Sequence, residues 1–152
     1  GPNVYAKFPV ICYQIGMGEL EKWASVKLGE DFTNGLVAAL PSLQQHGCSY
    51  GEDGGFLRRL VEDEGTWIGH IWEHVAIELQ NLAGSSVSFG RTRSLKDKGC
   101  DYGVYQYQQR DVGLEAGALG LKLLTHLMPA AIQASITANI EPDFNFAEEL
   151  ND

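Results

Sequence analysis

A run of five residues, His-Ile-Trp-Glu-His, holds the side chains best suited to chemistry in this chain. Its two histidines, His70 and His74, are four residues apart, so on an α-helix they lie one turn apart on the same face. This spacing allows two imidazoles to bind one metal ion, and Glu73 beside them could act as a general base on the attacking water. The alternative interpretation is that both histidines are surface or capping residues of an amphipathic helix.

The pattern His-x-x-Glu-His is the inverse of the zinc-peptidase signature His-Glu-x-x-His and is known as the inverzincin motif. Hydrolysis at zinc requires three protein ligands and one open position. A carboxylate on a following helix is the usual third ligand, which makes Glu115 one candidate. Glu78 is the other, but it lies roughly 12 Å along the helix axis from His70 and is better placed as a hydrogen-bond acceptor for His74. The sequence therefore predicts zinc with two placed ligands and a third left open between Glu115 and Glu78.

The helix that carries the motif is predicted over residues 65–84, between two glycines. Apolar side chains recur along it at helical spacing and form a stripe that faces the core: Ile68, Trp72, Val75, Leu79 and Leu82. The two histidines point away from that stripe and share their face with Trp67 and Ile77. A face that mixes apolar and ionisable side chains is typical of the floor of a pocket.

A glycine-rich loop over residues 46–56, HGCSYGEDGGF, is one candidate wall of that pocket. Its carboxylates, Glu52 and Asp53, could bind a cationic ligand, and the alternative is a turn that caps the next helix through Asp53. The loop lacks the Gly-Lys-Ser/Thr ending of a phosphate-binding loop, so no nucleotide site is predicted here. His46 and His126 have no partners at a useful spacing and are predicted to be structural or exposed.

A pair of arginines, Arg91 and Arg93, is the other candidate wall. They are two residues apart on a strand predicted over residues 86–94, so both point to one face of a sheet. Two guanidinium groups on one face could bind a carboxylate or a phosphate. The alternative is that they are exposed strand residues that pair with nearby carboxylates.

The order of the elements predicts an α+β fold, in which a small, mostly antiparallel sheet packs against helices and the helix with the motif is central. Strands are predicted over residues 10–17, 86–94 and 104–109, and helices over 36–43, 56–64, 65–84 and 112–128. Pro129 either kinks the last helix or starts a further one through residue 136. Residues 1–140 are predicted to form one domain, and the acidic tail over 141–152 a linker.

The composition narrows the classes of partner. A net charge of −9 argues against nucleic acid and fits a cationic partner or substrate, although an acidic surface that serves solubility is the plainer explanation. No run of about 18 apolar residues is present, so neither a transmembrane helix nor a membrane partner is predicted. Three widely separated cysteines without a C-x-x-C pair argue against a disulfide framework and favour a reducing cytoplasm.

Three segments together resemble a known family. HGCSYGEDGGFLRRL, GTWIGHIWEHVAIELQNLAG and SFGRTR, in this order and at these separations, are similar to the N-terminal domain of cyanophycin synthetases. That family implies binding of cyanophycin, a polymer with an aspartate backbone and arginine on each side chain. In members that keep His-x-x-Glu-His it also implies metal-dependent hydrolysis of the polymer to short primers. Arg91, Arg93, Glu52 and Asp53 are then expected to contact the polymer.

The resemblance also implies the surroundings of the domain. In the family, an ATP-grasp module and a Mur-ligase-like module follow and elongate the polymer with ATP. Residues 141–152 are therefore expected to lead toward an ATP-grasp ligase module absent from this chain, and this chain by itself is expected to bind no nucleotide. A homo-oligomer is expected in the parent protein. The alternative function is a non-catalytic domain that docks the polymer, or a structural domain that serves the ligase modules.

Overall fold

The computed structural model describes residues 10–16, 20, 23–47, 55–85, 87, 90–94, 100–105, 110–135 and 137–141. Five α-helices occur in these ranges: α1 (Ser25–Leu28), α2 (Glu30–Ala39), α3 (Gly55–Val61), α4 (Ile68–Leu82) and α5 (Arg110–Leu127). Two 3-10 helices, Pro41–Gln45 and Ala130–Ser135, follow α2 and α5. No helix in the described part of the chain is both long and apolar enough to cross a bilayer.

The four described strands are β1 (Val10–Gly16), β2 (Gly90–Ser94), β3 (Cys100–Tyr105) and β4 (Thr137–Glu141). They pair in the order β2-β3-β1-β4, and each neighbouring pair is antiparallel. β1 lies between β3 and β4, with Val10 opposite Tyr105 and Cys12 opposite Glu141. The sheet therefore gathers strands from the beginning, the middle and the end of the chain.

The predicted fold class needs a correction, because helices account for more of the described residues than the strands do. Each strand has only five to seven residues, whereas α4 and α5 alone have 15 and 18. Most members of the described hydrophobic core lie on helices (Leu28, Phe32, Leu36, Leu43, Phe56, Leu60, Ile68, Ile71, Trp72, Val75, Ala76, Ile77 and Leu124), and Ile15 is the one that lies on a described strand. Among the strand residues, burial is described only for Ile15 and Gly16. The described core is therefore the one between the helices, whose apolar residues recur at the helical period.

The bounds of several predicted elements also differ from those in the structure. The strand predicted over residues 86–94 begins at Gly90, and β3 begins at Cys100, four residues before the strand predicted over 104–109. The helix predicted through residue 136 is a 3-10 helix that ends at Ser135, and β4 follows it. β4 ends at Glu141, where the acidic tail was predicted to start, and residues 142–152 lie outside the described residues.

The helix with the motif packs closely on α5. The indole Nε1 of Trp72 donates a hydrogen bond to the Gly117 carbonyl oxygen at 3.1 Å. A Cβ atom on Gly120 would lie 3.1 Å from Val75 Cγ1, so glycine lets the two helix backbones approach. The contact with α5 fixes one face of α4, so that its opposite face can serve a site.

Candidate functional site

α4 places both histidines of the motif on one face, as their spacing predicts. Their rings meet edge to face with centroids 4.8 Å apart. His74 Nε2 lies 3.2 Å from His70 Nε2, so the two nitrogens converge on one point. His74 is buried and His70 is half-buried. The core stripe on the other side of α4 holds the helix in this orientation, because Ile68, Trp72 and Val75 are almost completely buried.

A third histidine joins this pair. His46 follows the 3-10 helix Pro41–Gln45, and its carbonyl oxygen accepts a hydrogen bond from the Phe56 backbone N–H at 3.1 Å. Its Nδ1 atom lies 3.0 Å from His74 Nδ1, and its Nε2 atom is hydrogen-bonded to Glu78 Oε2. The prediction that His46 lacks a partner was therefore wrong. Its sequence separation of 28 residues from His74 hides the contact, and its place at the head of the glycine-rich loop was the only signal.

Two further side chains hold the imidazole rings. Phe56, at 0% exposure, stacks on His74 with ring centroids 3.9 Å apart and an angle of 18° between the planes. The same phenyl ring meets His70 edge-on at 5.7 Å. On the far side of His70, the buried Thr66 places its Oγ1 atom 2.9 Å from Nδ1. Sequence reasoning assigned neither residue to the site, since both look like ordinary core and helix-start positions.

Burial keeps both motif histidines neutral. Desolvation, aided by the positive charge of Arg59, lowers the pKa of His70 from 6.5 to about 4. Desolvation, aided by His70 and then His46, lowers the pKa of His74 from 6.5 to about 3. At neutral pH each imidazole therefore has one unprotonated ring nitrogen, and the neutral ring is the form that binds metal ions.

The three glutamates of the predicted site fall in different surroundings. Glu73 is half-buried on α4, in the turn that separates the two histidines. Glu78 is buried at 5% exposure and contacts His46, and not His74 as the sequence had suggested. Glu115 is exposed on α5, and no described contact joins it to either histidine.

The fit of these residues to zinc is therefore partial. His70 and His74 offer two converging, neutral nitrogens, which suits a zinc site. Within the described ranges, however, no group of three or more His, Cys, Asp or Glu side chains is arranged around one point. His46 does not supply the third ligand, because it approaches His74 from Nδ1 whereas His70 approaches from Nε2.

The structure describes only part of the remaining residues that were predicted to contact the ligand. Arg91 and Arg93 are two apart on β2, where they lie opposite Gly103 and Asp101 of β3. Their side chains lie outside what the structure describes, as do Glu52 and Asp53 entirely. The predicted roles of these four residues in binding stay predictions.

Comparison with known proteins gives one consistent result. A family described as the cyanophycin synthase-like N-terminal domain matches residues 13–129. The chain is 39% identical over 130 residues to cyanophycin synthetase of Synechocystis sp., which covers 84% of this chain and 14% of that protein. It is 42% identical over 125 residues to cyanophycin synthetase of Trichormus variabilis, with 81% and 14% covered. For that of Geminocystis herdmanii the identity is 45% over 97 residues, with 64% and 11% covered. The chain thus spans only about one-seventh of the length of these relatives.

Proposed function

This chain belongs to the family of cyanophycin synthase-like N-terminal domains, and on that premise we propose that it binds cyanophycin and hydrolyses it in a metal-dependent reaction on α4. The observation that carries this proposal is the convergence of His70 Nε2 and His74 Nε2 at 3.2 Å, with the Nδ1 atom of each ring engaged by another side chain. A neutral imidazole binds a metal ion through its unprotonated ring nitrogen, so a metal ion could take up both Nε2 atoms once neither of them carries a proton. Without a metal ion, the Nε2–H of one ring can instead donate a hydrogen bond to Nε2 of the other.

The proposed ligand suits the charge of the chain. Cyanophycin carries an arginine on each aspartate of its backbone, so it presents a dense row of guanidinium groups. A chain with 20 acidic and 11 basic residues attracts such a polymer. Guanidinium groups also form bidentate hydrogen bonds with carboxylates. Glu52 and Asp53 are proposed for that role, and Arg91 and Arg93 for contacts with the carboxylates of the polymer.

In the proposed reaction, His70 and His74 would hold zinc through their Nε2 atoms, and the third ligand stays open between Glu115 and Glu78. Zinc, when bound, polarises the scissile carbonyl group and acidifies the attacking water. The Glu73 carboxylate would take a proton from that water as the new C–O bond forms. It would then pass the proton to the leaving nitrogen as the C–N bond breaks. Phe56 and Thr66 would keep the two imidazoles oriented throughout.

The wider role of the protein follows from its relatives by analogy. Their printed name describes a synthetase of cyanophycin, so ligase modules elsewhere in a longer protein would extend the polymer while this domain supplies short primers. We propose those modules as its partners, ATP as their cofactor rather than that of this domain, and a homo-oligomer as the form of the parent protein. A cytoplasmic location stays a prediction.

Incubation of the isolated chain with cyanophycin tests hydrolysis directly. Soluble fragments are expected from the wild type with zinc, and their release is expected to fall by at least about a hundredfold with a chelator or with Glu73→Gln, since general-base catalysis contributes roughly 10²–10⁴-fold. Glu64→Gln is the matched control, because Glu64 is an exposed carboxylate outside α4. Hydrolysis that survives both the chelator and Glu73→Gln would refute the proposed mechanism.

A docking domain without catalysis is the second candidate. One observation favours it: His70 Nε2 and His74 Nε2 lie close together, but no third histidine, cysteine or carboxylate among the described residues joins them around one point. In this case the wild type and Glu73→Gln would sediment together with cyanophycin equally well, and both would leave the polymer intact. Failure of both proteins to retain the polymer would leave a structural role.

A further inference from the structure

We propose that His46 and Glu78 are positioning residues that fix the tautomer of His74, so that its Nε2 atom presents a lone pair toward His70. This inference deepens the proposed function and rests on the metal site assigned there. It assigns a task to His46, which is not a proposed metal ligand, and makes Glu78 the partner of His46 rather than the third ligand. The evidence is an unbroken series of polar contacts from Glu78 through His46 to His74.

The direction of the hydrogen bonds from Glu78 to His74 follows from the chemistry of Glu78. An ionised carboxylate accepts hydrogen bonds and cannot donate them, so the proton between Glu78 Oε2 and His46 Nε2 belongs to His46. If His46 has this proton at Nε2 and no second one, its Nδ1 atom is an acceptor. His74 Nδ1, 3.0 Å away, must then donate. With its proton at Nδ1, His74 has a lone pair at Nε2, the atom that faces His70.

The described contact of His70 Nδ1 is of a different kind. Its Nδ1 atom contacts Thr66 Oγ1, and a hydroxyl group both donates and accepts. That contact orients the ring without selecting a tautomer. The described contacts therefore preset the tautomer of one histidine of the site, His74.

Burial and packing make the preset tautomer stable. Glu78 is only 5% exposed and His74 9% exposed, so little water competes for the hydrogen bonds between them. A buried carboxylate is costly unless it is paired, which disfavours any arrangement that separates Glu78 from His46. The Phe56 ring, stacked on His74 at 3.9 Å, holds the plane of the imidazole. Carboxylate–histidine pairs of this kind typically raise metal affinity by about 10–100-fold.

Nitrogen NMR on the whole chain tests the tautomer without any metal. Long-range proton–nitrogen spectra of histidine-labelled protein, recorded at neutral pH with a chelator, distinguish Nδ1–H from Nε2–H, and His74→Gln assigns the His74 signals. We expect Nδ1–H for His74 in the wild type and a mixture of both tautomers in Glu78→Met. If His74 carries its proton at Nε2 in the wild type, then His46 donates rather than accepts, and the inference is overturned.

Zinc affinity gives the second, independent readout. Competition with a chromophoric chelator is expected to show about 10–100-fold weaker binding in His46→Leu, which removes the acceptor. His46→Asn should recover most of this loss, because its amide oxygen can accept from His74 Nδ1. His126→Leu, an exposed histidine on α5, is the matched control and should bind zinc like the wild type. Equal affinity of His46→Leu and the wild type, or equal loss in His46→Leu and His46→Asn, contradicts a positioning role.

The two readouts separate this inference from the function on which it rests. If the wild-type chain does not bind zinc, the proposed hydrolysis fails, while the NMR spectrum of the wild type still decides the tautomer of His74. If His46→Leu does not fold, the comparison of His46→Asn with the wild type and the same spectrum keep the test decisive.

Discussion

Replacing Phe56 by alanine tests whether this one ring both fills the core and holds the histidine cluster. Phe56 is fully buried, stacks on His74 at 3.9 Å and meets His70 edge-on at 5.7 Å. Truncation of a buried phenylalanine typically costs about 3–5 kcal/mol, and each aromatic pair adds about 0.5–1.5 kcal/mol beyond burial. We expect Phe56→Ala to lower the free energy of unfolding by about 4 kcal/mol, a large part of the roughly 5–15 kcal/mol that stabilises a domain.

Urea unfolding followed by circular dichroism measures this loss, with the chelator present so that metal binding does not contribute. Val61→Ala is the matched control, because Val61 lies on the same helix but is 54% exposed, and its loss should stay within about 0.5 kcal/mol. Phe56→Leu keeps most of the side-chain volume and removes the stacking on His74. It should therefore unfold at a higher urea concentration than Phe56→Ala, yet bind zinc more weakly than the wild type. A loss below about 2 kcal/mol in Phe56→Ala would refute the reasoning.

Two further predictions concern backbone geometry and acid stability. Gly65 and Gly84 both have φ near 85°, but an added Cβ would lie 2.0 Å from Ser25 Oγ at Gly65 and meets nothing within 4 Å at Gly84. Gly65→Ala should therefore cost about 3 kcal/mol or more in urea unfolding, and Gly84→Ala only about 1–2 kcal/mol. Because the pKa values of His70 and His74 fall to about 4 and about 3 on folding, the unfolded chain binds more protons as the pH drops below 6.5. The free energy of unfolding of the metal-free chain should then decrease by about 2 kcal/mol per histidine at pH 5.

The outcomes that would contradict these two predictions are direct. Equal losses in the two glycine variants would mean that the left-handed backbone, and not the contact with Ser25, governs the cost at Gly65. For acid stability, His74→Gln should flatten the fall between pH 6.5 and 5, whereas the exposed His126→Gln should not. A fall of the same steepness in His74→Gln would show that other groups bind the protons.

The sequence predicts those parts of the site that depend on local geometry. Residues four apart on a helix share a face whatever the rest of the chain does, so His70 and His74 could be paired from their spacing alone. Most of the apolar stripe of α4 could be recognised in the same way, because helix packing leaves a periodic pattern. Leu82, which was predicted to face the core, is instead 63% exposed. The family also follows from the sequence, since the segments that carry the resemblance are continuous and specific.

Fold class could be predicted less well than local spacing. Residues 25–35 of α1 and α2 were not predicted to be helical, because the predicted helix began at residue 36, and β4 was not predicted at all. Short helices and short edge strands carry weak periodic signals, and their formation depends on neighbours distant in sequence. The balance between helix and sheet is for this reason decided by tertiary contacts such as those of β1 with β3 and β4.

The candidate site likewise has a part set by local spacing and a part set by tertiary contacts. By itself, the sequence determines that two imidazoles and Glu73 lie on consecutive turns of one helix. Only the tertiary structure brings His46, 28 residues away, against His74 Nδ1 and gives the buried Glu78 its partner. The physical reason is that helical spacing is set by the backbone within a few residues, whereas the direction of a hydrogen bond between distant side chains depends on how the whole core packs.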